Sequence, residues 1–214
     1  MASENLQVDW TEVDADGHLT LATTKVTFAT LDRDDDAYVY KDYGAGYFSG
    51  DFEHDLKFIV TSVQNASAFV FPWSMGNKVD DYHNMSLGGY TRLGVCIYGT
   101  AANAFKFSCM YDEEWGWSSK TNYAPGTYYL TIRRVEAVGT YGTLYLDIYS
   151  DATRETLLET VSKTLAAKTD FQYLYAVNSY NSGHTGYDVA GSVDEFDLSP
   201  GTGVVWIPKV IMVM

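Results

Sequence analysis

The chain has 214 residues, with 14 Lys and Arg against 28 Asp and Glu, a net charge of −14 and a pI near 4.4. That shortage of cations excludes the clustered Lys/Arg surface that nucleic acid or an anionic membrane requires. With 46% hydrophobic residues, 18 Tyr, 10 Phe and 5 Trp, the chain can bury a large core, and its apolar runs, such as Val204 to Ile207, are far too short to span a bilayer.

The first residues, Met1 to Gln7, are polar and acidic and do not read as a secretory signal. The expectation is either that a signal has been removed or that the protein leaves its cell another way, for example within a virus particle. Strands are then expected at Leu19–Leu21, Lys25–Thr30, Ala37–Tyr40, Phe52–Ser62, Ala66–Phe71, Thr91–Tyr98 and Phe105–Tyr111. They continue at Tyr128–Arg134, Thr143–Tyr149, Thr156–Leu165, Tyr173–Ser179, Ser192–Leu198 and Val204–Val213. Gly and Asx pairs such as Asp16-Gly17 and Gly88-Gly89 mark the breaks. Phe52, His54, Leu56, Phe58 and Val60 fall on one parity and Asp51, Glu53, Asp55 and Lys57 on the other, the mark of a strand with one dry and one wet face. Glu155–Leu165 fits a helical stripe almost as well as a strand. Many short strands with no long helix predict an all-β, two-sheet antiparallel sandwich over residues 1–200, with 201–214 as an apolar arm.

Cys96 and Cys109 flank a hairpin and could face each other across it, although free buried thiols are the favoured state. Four scattered His residues give no zinc spacing, and there is no nucleophile elbow, phosphate-cradling loop or CxxC.

Several segments resemble the concanavalin A-like lectin/glucanase superfamily in its laminin-G-like jelly-roll form. They are Tyr38 to Gly46 with Gly50 to Asp55, then Gly126 to Arg134, Gly142 to Ser150, and the closing Gly191-Ser192-Val193-Asp194-Glu195-Phe196-Asp197-Leu198. The resemblance implies a sandwich of about 12–14 strands, often carbohydrate-binding and sometimes calcium-loaded, found in lectins, glucanases and phage or virion surface proteins.

Asp51-x-Glu53-x-Asp55 is the catalytic candidate, because retaining glucanases of that superfamily place paired carboxyls on one wet strand face. Asp at the outer positions shortens the reach, and Lys57 on the same face would lower the pKa a general acid needs raised, so a merely solubilising face is favoured. Asp32-Arg33-Asp34-Asp35-Asp36 can offer oxygen ligands to calcium, with Asp32, Asp34 and Asp36 joined by Asp194 as the ligand the resemblance suggests; a solvated acidic loop is the competing explanation. Tyr111, Glu113, Trp115, Trp117 and Tyr123 form a loop suited to stacking a sugar ring, or equally to a subunit contact. Tyr175, Asn178, Tyr180, Asn181, His184 and Tyr187 offer a second such surface. The apolar arm, with Val204, Trp206, Ile207, Val210 and Ile211, must pack on its own sandwich or on a neighbouring subunit.

The function these features imply is a non-enzymatic surface or structural module: a virion decoration or tail-associated protein that self-assembles through its arm and can bind glycans. The alternatives are a secreted carbohydrate-binding module and an atypical β-glucanase using Asp51, Glu53 and Asp55. Location is virion surface or extracellular, and calcium is the one cofactor suggested.

Overall fold

A computed structural model describes residues 4–112 and 114–199, with backbone alone at 114–117 and 199. In chain order the elements are α1 (Leu6–Asp9), β1 (Thr11–Asp14), β2 (Leu19–Leu21), β3 (Lys25–Arg33), β4 (Ala37–Asp42), β5 (Phe52–Val63) and β6 (Phe69–Gly76). Next come α2 (Tyr82–Leu87), β7 (Arg92–Ala101), β8 (Ala104–Tyr111), β9 (Glu114–Ser118) and β10 (Gly126–Val135). The series closes with β11 (Thr143–Tyr149), β12 (Leu157–Thr164), β13 (Tyr173–Asn178) and β14 (His184–Ser199). They form two antiparallel 7-stranded sheets, ordered β1-β4-β13-β6-β7-β8-β9 (sheet A) and β12-β11-β10-β5-β14-β3-β2 (sheet B), the expected sandwich.

The inner faces supply one core. Phe52, Leu56, Phe58 and Val60 of β5, Leu130 and Ile132 of β10, and Leu144, Leu146 and Ile148 of β11 meet Val70, Trp73, Leu93, Val95, Ile97, Phe105 and Phe107 of sheet A. A polar link crosses this core: the Trp73 indole N–H donates to His54 Nδ1 at 3.0 Å. Burial holds His54 down to a pKa of about 3, so the ring is neutral and fit to accept that bond. β14 runs against β5 over a register shift between Ala190 and Gly191, where a Cβ at Gly191 would lie 2.1 Å from the Ile59 carbonyl oxygen. Only glycine permits that approach.

Two strands go beyond the sequence expectation, and the alternatives left open at two other places are resolved. Thr11–Asp14 and Glu114–Ser118 are edge strands, the latter inside the segment read as a loop. Leu157–Thr164 is strand β12, within the strand expected at Thr156–Leu165 and not the alternative helix. Cys96 stands opposite Ser108 and Cys109 opposite Val95, so the two thiols occupy opposite faces of the hairpin and both are free. The expected strand Val204–Val213, with Val204, Trp206, Ile207, Val210 and Ile211, lies outside the described residues.

Candidate functional site

The outward parity of sheet A carries rings in place of charges. Tyr38 and Tyr40 of β4, Tyr173 and Tyr175 of β13, Phe69 and Phe71 of β6, Cys96 and Tyr98 of β7 and Met110 of β8 form a second apolar cluster, separate from the core. Tyr40 stands opposite Tyr175 in the ladder. Ring centroids lie 6.0 Å apart for Tyr40–Tyr173, 5.9 Å for Tyr40–Tyr175 and 5.9 Å for Tyr38–Tyr175, the spacing at which aromatic edges and faces attract.

Part of this layer is roofed by α2. Asp81 caps that helix, its Oδ1 accepting the amide N–H of His83 at 2.8 Å and of Asn84 at 3.0 Å, and Gly88-Gly89 ends it. Tyr82 then stacks on Phe71 with centroids 3.8 Å apart. The pair lies flat on the sheet because the strand beneath carries Gly94, where a Cβ would meet Phe71 at 2.7 Å and Tyr82 at 2.8 Å.

Where α2 stops covering the layer, a cavity of about 320 Å³ opens, lined by Arg33, Ser67, Phe69, Tyr98 and Tyr180. The Tyr180 ring lies 5.0 Å from Phe69 and 4.9 Å from His83. The Arg33 guanidinium lies 5.4 Å from the Tyr180 centroid and 5.7 Å from that of Tyr187. Its Nε and one terminal nitrogen donate to Ser182 Oγ at 3.2 and 2.9 Å, and the other terminal nitrogen donates to the Ser67 carbonyl at 3.3 Å. Those bonds fix the planar fork while leaving N–H groups to spare. The cavity is of monosaccharide size, with flat apolar walls and a preorganised donor. Chemically, it can stack the C–H face of a ring and donate to hydroxyl or carboxylate oxygens.

No family model matches this sequence, and no curated protein matches it. Solved structures do. A legume lectin-like domain from Entamoeba histolytica superposes with a TM-score of 0.59 at 10% identity, over 91% of each chain. The fold is that of the lectin-like sandwiches. The exoplasmic/lumenal domain of VIP36, bound to Ca2+ and Man3GlcNAc, gives a TM-score of 0.56 at 11% identity, over 92% of this chain and 87% of its own. An alginate lyase, Aly36B, bound to an alginate trisaccharide, gives 0.50 at 13%, over 89% and 87%.

Within this lectin-like frame the first aromatic candidate divides. Tyr111 and Tyr123 are buried in the core, their hydroxyls bonded to Thr169 and Glu159, so neither ring is available to a sugar. The side chains of Glu113, Trp115 and Trp117 lie outside the described residues. The second candidate also divides. Tyr175 and Asn178 are buried, the former bonded to the Lys78 carbonyl, whereas Tyr180 lines the cavity and Tyr187 lies beneath Arg33. The Asn181 amide donates to Asp81, and His184 is exposed beside Tyr187. Sequence reasoning missed Arg33, Phe69 and Tyr98, which sit on three separate strands.

The carboxyl candidates lie on sheet B. Asp51 precedes β5 and accepts the Glu136 amide at 2.6 Å. Asp55 Oδ1 accepts from Thr131 and pairs with Arg154 at 3.2 Å. Glu53 projects outward opposite Arg133; partial desolvation of its carboxyl and then the Asp55 charge raise its pKa, against the pull of Arg133. Lys57 turns to Glu195 at 3.2 Å, while Arg133 pairs with Asp147 at 2.9 Å.

The calcium set suggested by the sequence does not assemble. Asp32 spends both carboxylate oxygens on the amides of Gly186, Tyr187 and Arg33. Asp35 turns back to the Asp32 amide and to His18. Asp194 stands opposite Lys25, at the far end of β3 from Asp32, Asp34 and Asp36, and accepts from Thr24. Those four residues therefore do not fit one ion.

Proposed function

We propose that this protein is a non-enzymatic glycan-binding module, with its saccharide site in the cavity between Phe69, Tyr98, Tyr180 and Arg33. The observation that carries the proposal is the cavity itself: two half-buried tyrosines and a phenylalanine frame it, with a guanidinium held in place at its edge. Lectin-like neighbours support it, since the VIP36 domain was solved with Man3GlcNAc bound. The sandwich lacks any helix, among the described residues, long and apolar enough to cross a membrane. A virion-surface role draws no support from the solved structures that match.

The test is a glycan array followed by calorimetry on the best ligand. Tyr180→Ala and Arg33→Ala should each weaken binding by about 1–3 kcal/mol, and Tyr145→Ala on sheet B should leave it unchanged. Failure to bind any glycan, or equal affinity in all three variants, overturns the proposal.

One observation favours a second reading. Glu53, with its raised pKa beside Arg133 and Asp147, could act as an acid on the outer face of sheet B, and Aly36B is an enzyme of the same fold. New saccharide chain ends appearing with the wild type and absent with Glu53→Gln would establish it.

A further inference from the structure

Beside the cavity, beyond the Tyr180-Asn181 turn, three carboxylates converge. Asp36 comes from the turn between β3 and β4, and Asp80 and Asp81 from the segment entering α2; one oxygen of each lies within 4.8 Å of the others. None of the three has a Lys, Arg or His ion-pair partner among the described residues. Asp81 has no solvent exposure. Its Oδ1 is saturated by the amides of His83, Asn84 and Asn181 on the helix and loop side, whereas its Oδ2, equally buried, accepts no hydrogen bond.

A buried anionic oxygen without a donor is costly, and sandwiches normally avoid it. Asp32 and Asp147 show how this protein treats a buried carboxylate elsewhere: the first accepts three amides, the second pairs with Arg133 and accepts from Thr160. Asp81 Oδ2 has no such partner among the described residues.

We infer that Asp36, Asp80 and Asp81 bind a hard divalent cation, calcium before magnesium, through Asp81 Oδ2 and one oxygen from each of the other two. The donors are all oxygen, with no imidazole or thiolate, which selects calcium or magnesium over zinc or copper. Three carboxylates leave room for carbonyls and water, which suits the larger, less exacting ion. The ion would tie the β3–β4 turn to the start of α2, elements joined there by no ion pair. The inference stands whether or not the cavity takes a glycan.

The test uses the full chain. Melting temperature is measured in chelator and then against calcium chloride and magnesium chloride, for the wild type, Asp36→Asn, Asp80→Asn and the control Asp34→Asn. Asp36 is exposed, so Asp36→Asn should leave the fold intact. Calcium should raise the melting temperature of the wild type and of Asp34→Asn saturably, by about 5–10 °C at one hundred times Kd. Calorimetry should show affinity at least about tenfold weaker in Asp36→Asn and Asp80→Asn. The ranking should also reverse: Asp36→Asn melts above the wild type in chelator, where repulsion is relieved, and below it in calcium. A wild type indifferent to both ions up to about 10 mM, about tenfold above the weak end for extracellular calcium sites, overturns the inference. So does a calcium response that survives in both Asp36→Asn and Asp80→Asn.

Discussion

The two outward faces of this sandwich are built by the same alternation and end as opposites. On sheet B the outward positions are Glu53, Asp55 and Lys57 beside Tyr129, Thr131 and Arg133, and they satisfy one another across strands through pairs such as Arg133–Asp147 and Thr131–Asp55. On sheet A the outward positions are tyrosine, phenylalanine, cysteine and methionine, partly roofed by α2, so that β6 is buried at all eight positions. An outward parity is therefore not the same as a wet one. A sheet face stays apolar when something covers it or when it is meant to be covered, and the part of sheet A that α2 leaves open is where the cavity lies.

The contrast can be broken at its strongest point by Tyr82→Ala. This removes a fully buried ring from the Phe71 stack and should cost about 3–5 kcal/mol by urea denaturation. A loss no larger than that of a sheet B surface variant would deny that the aromatic layer is a packed unit. Next in size is a pH effect in the core between the faces. The unfolded chain protonates His54 below about pH 6.5, the native chain only near 3, so stability falls as pH drops through that window, by about 1.4 kcal/mol per unit. The gap between wild type and His54→Leu should accordingly shrink by about 3 kcal/mol between pH 6.5 and 4.3. A constant gap would mean the ring is not held neutral. Gly94→Ala, by driving a methyl into Phe71 and Tyr82, should cost about 1–3 kcal/mol and loosen α2, seen as faster amide exchange in that helix.

Sheet B supplies the small effects that sharpen the contrast. A double-mutant cycle on Arg133 and Asp147 should give about 0.5–1 kcal/mol, and one on the more exposed Lys57–Glu195 pair less than about 0.5 kcal/mol. Coupling as large as that of the aromatic layer would overturn the view of sheet B as a solvated face.

The architecture was legible because most strands carry unambiguous alternation. Thr143–Tyr149 matches in both bounds, and Phe52–Ser62 falls one residue short of β5. The wet parity of Glu53, Asp55 and Lys57 was legible for the same reason. What escaped was local or non-local in a way alternation cannot report. In β9, Trp115-Gly116-Trp117 has apolar residues two apart, yet glycine and flanking acids make it read as a turn. The six-residue α2 leaves only a capping Asp81 and a closing Gly88-Gly89 as signals, which were available but faint. The cavity depends on Arg33, Phe69 and Tyr98 arriving from β3, β6 and β7, and the carboxylate cluster on Asp36 meeting Asp80 and Asp81. Such meetings are set by strand order, which a single sequence does not display. The same blindness explains the misjudged calcium set: Asp194 seemed to complete the acidic loop only until the register of β14 put it at the opposite end of β3.

The separation of Cys96 from Cys109 gives the protein two built-in clocks. Cys96 is enclosed in the aromatic layer beneath α2, and Cys109 in the inter-sheet core with its Sγ 3.8 Å from the Val161 carbonyl. Burial raises both thiols, so neither reacts while enclosed. An alkylating reagent applied to the native protein would therefore date two different events: the lifting of the roof at Cys96 and the parting of the sheets at Cys109. If a ligand or an ion fastens the roof, only the first clock slows.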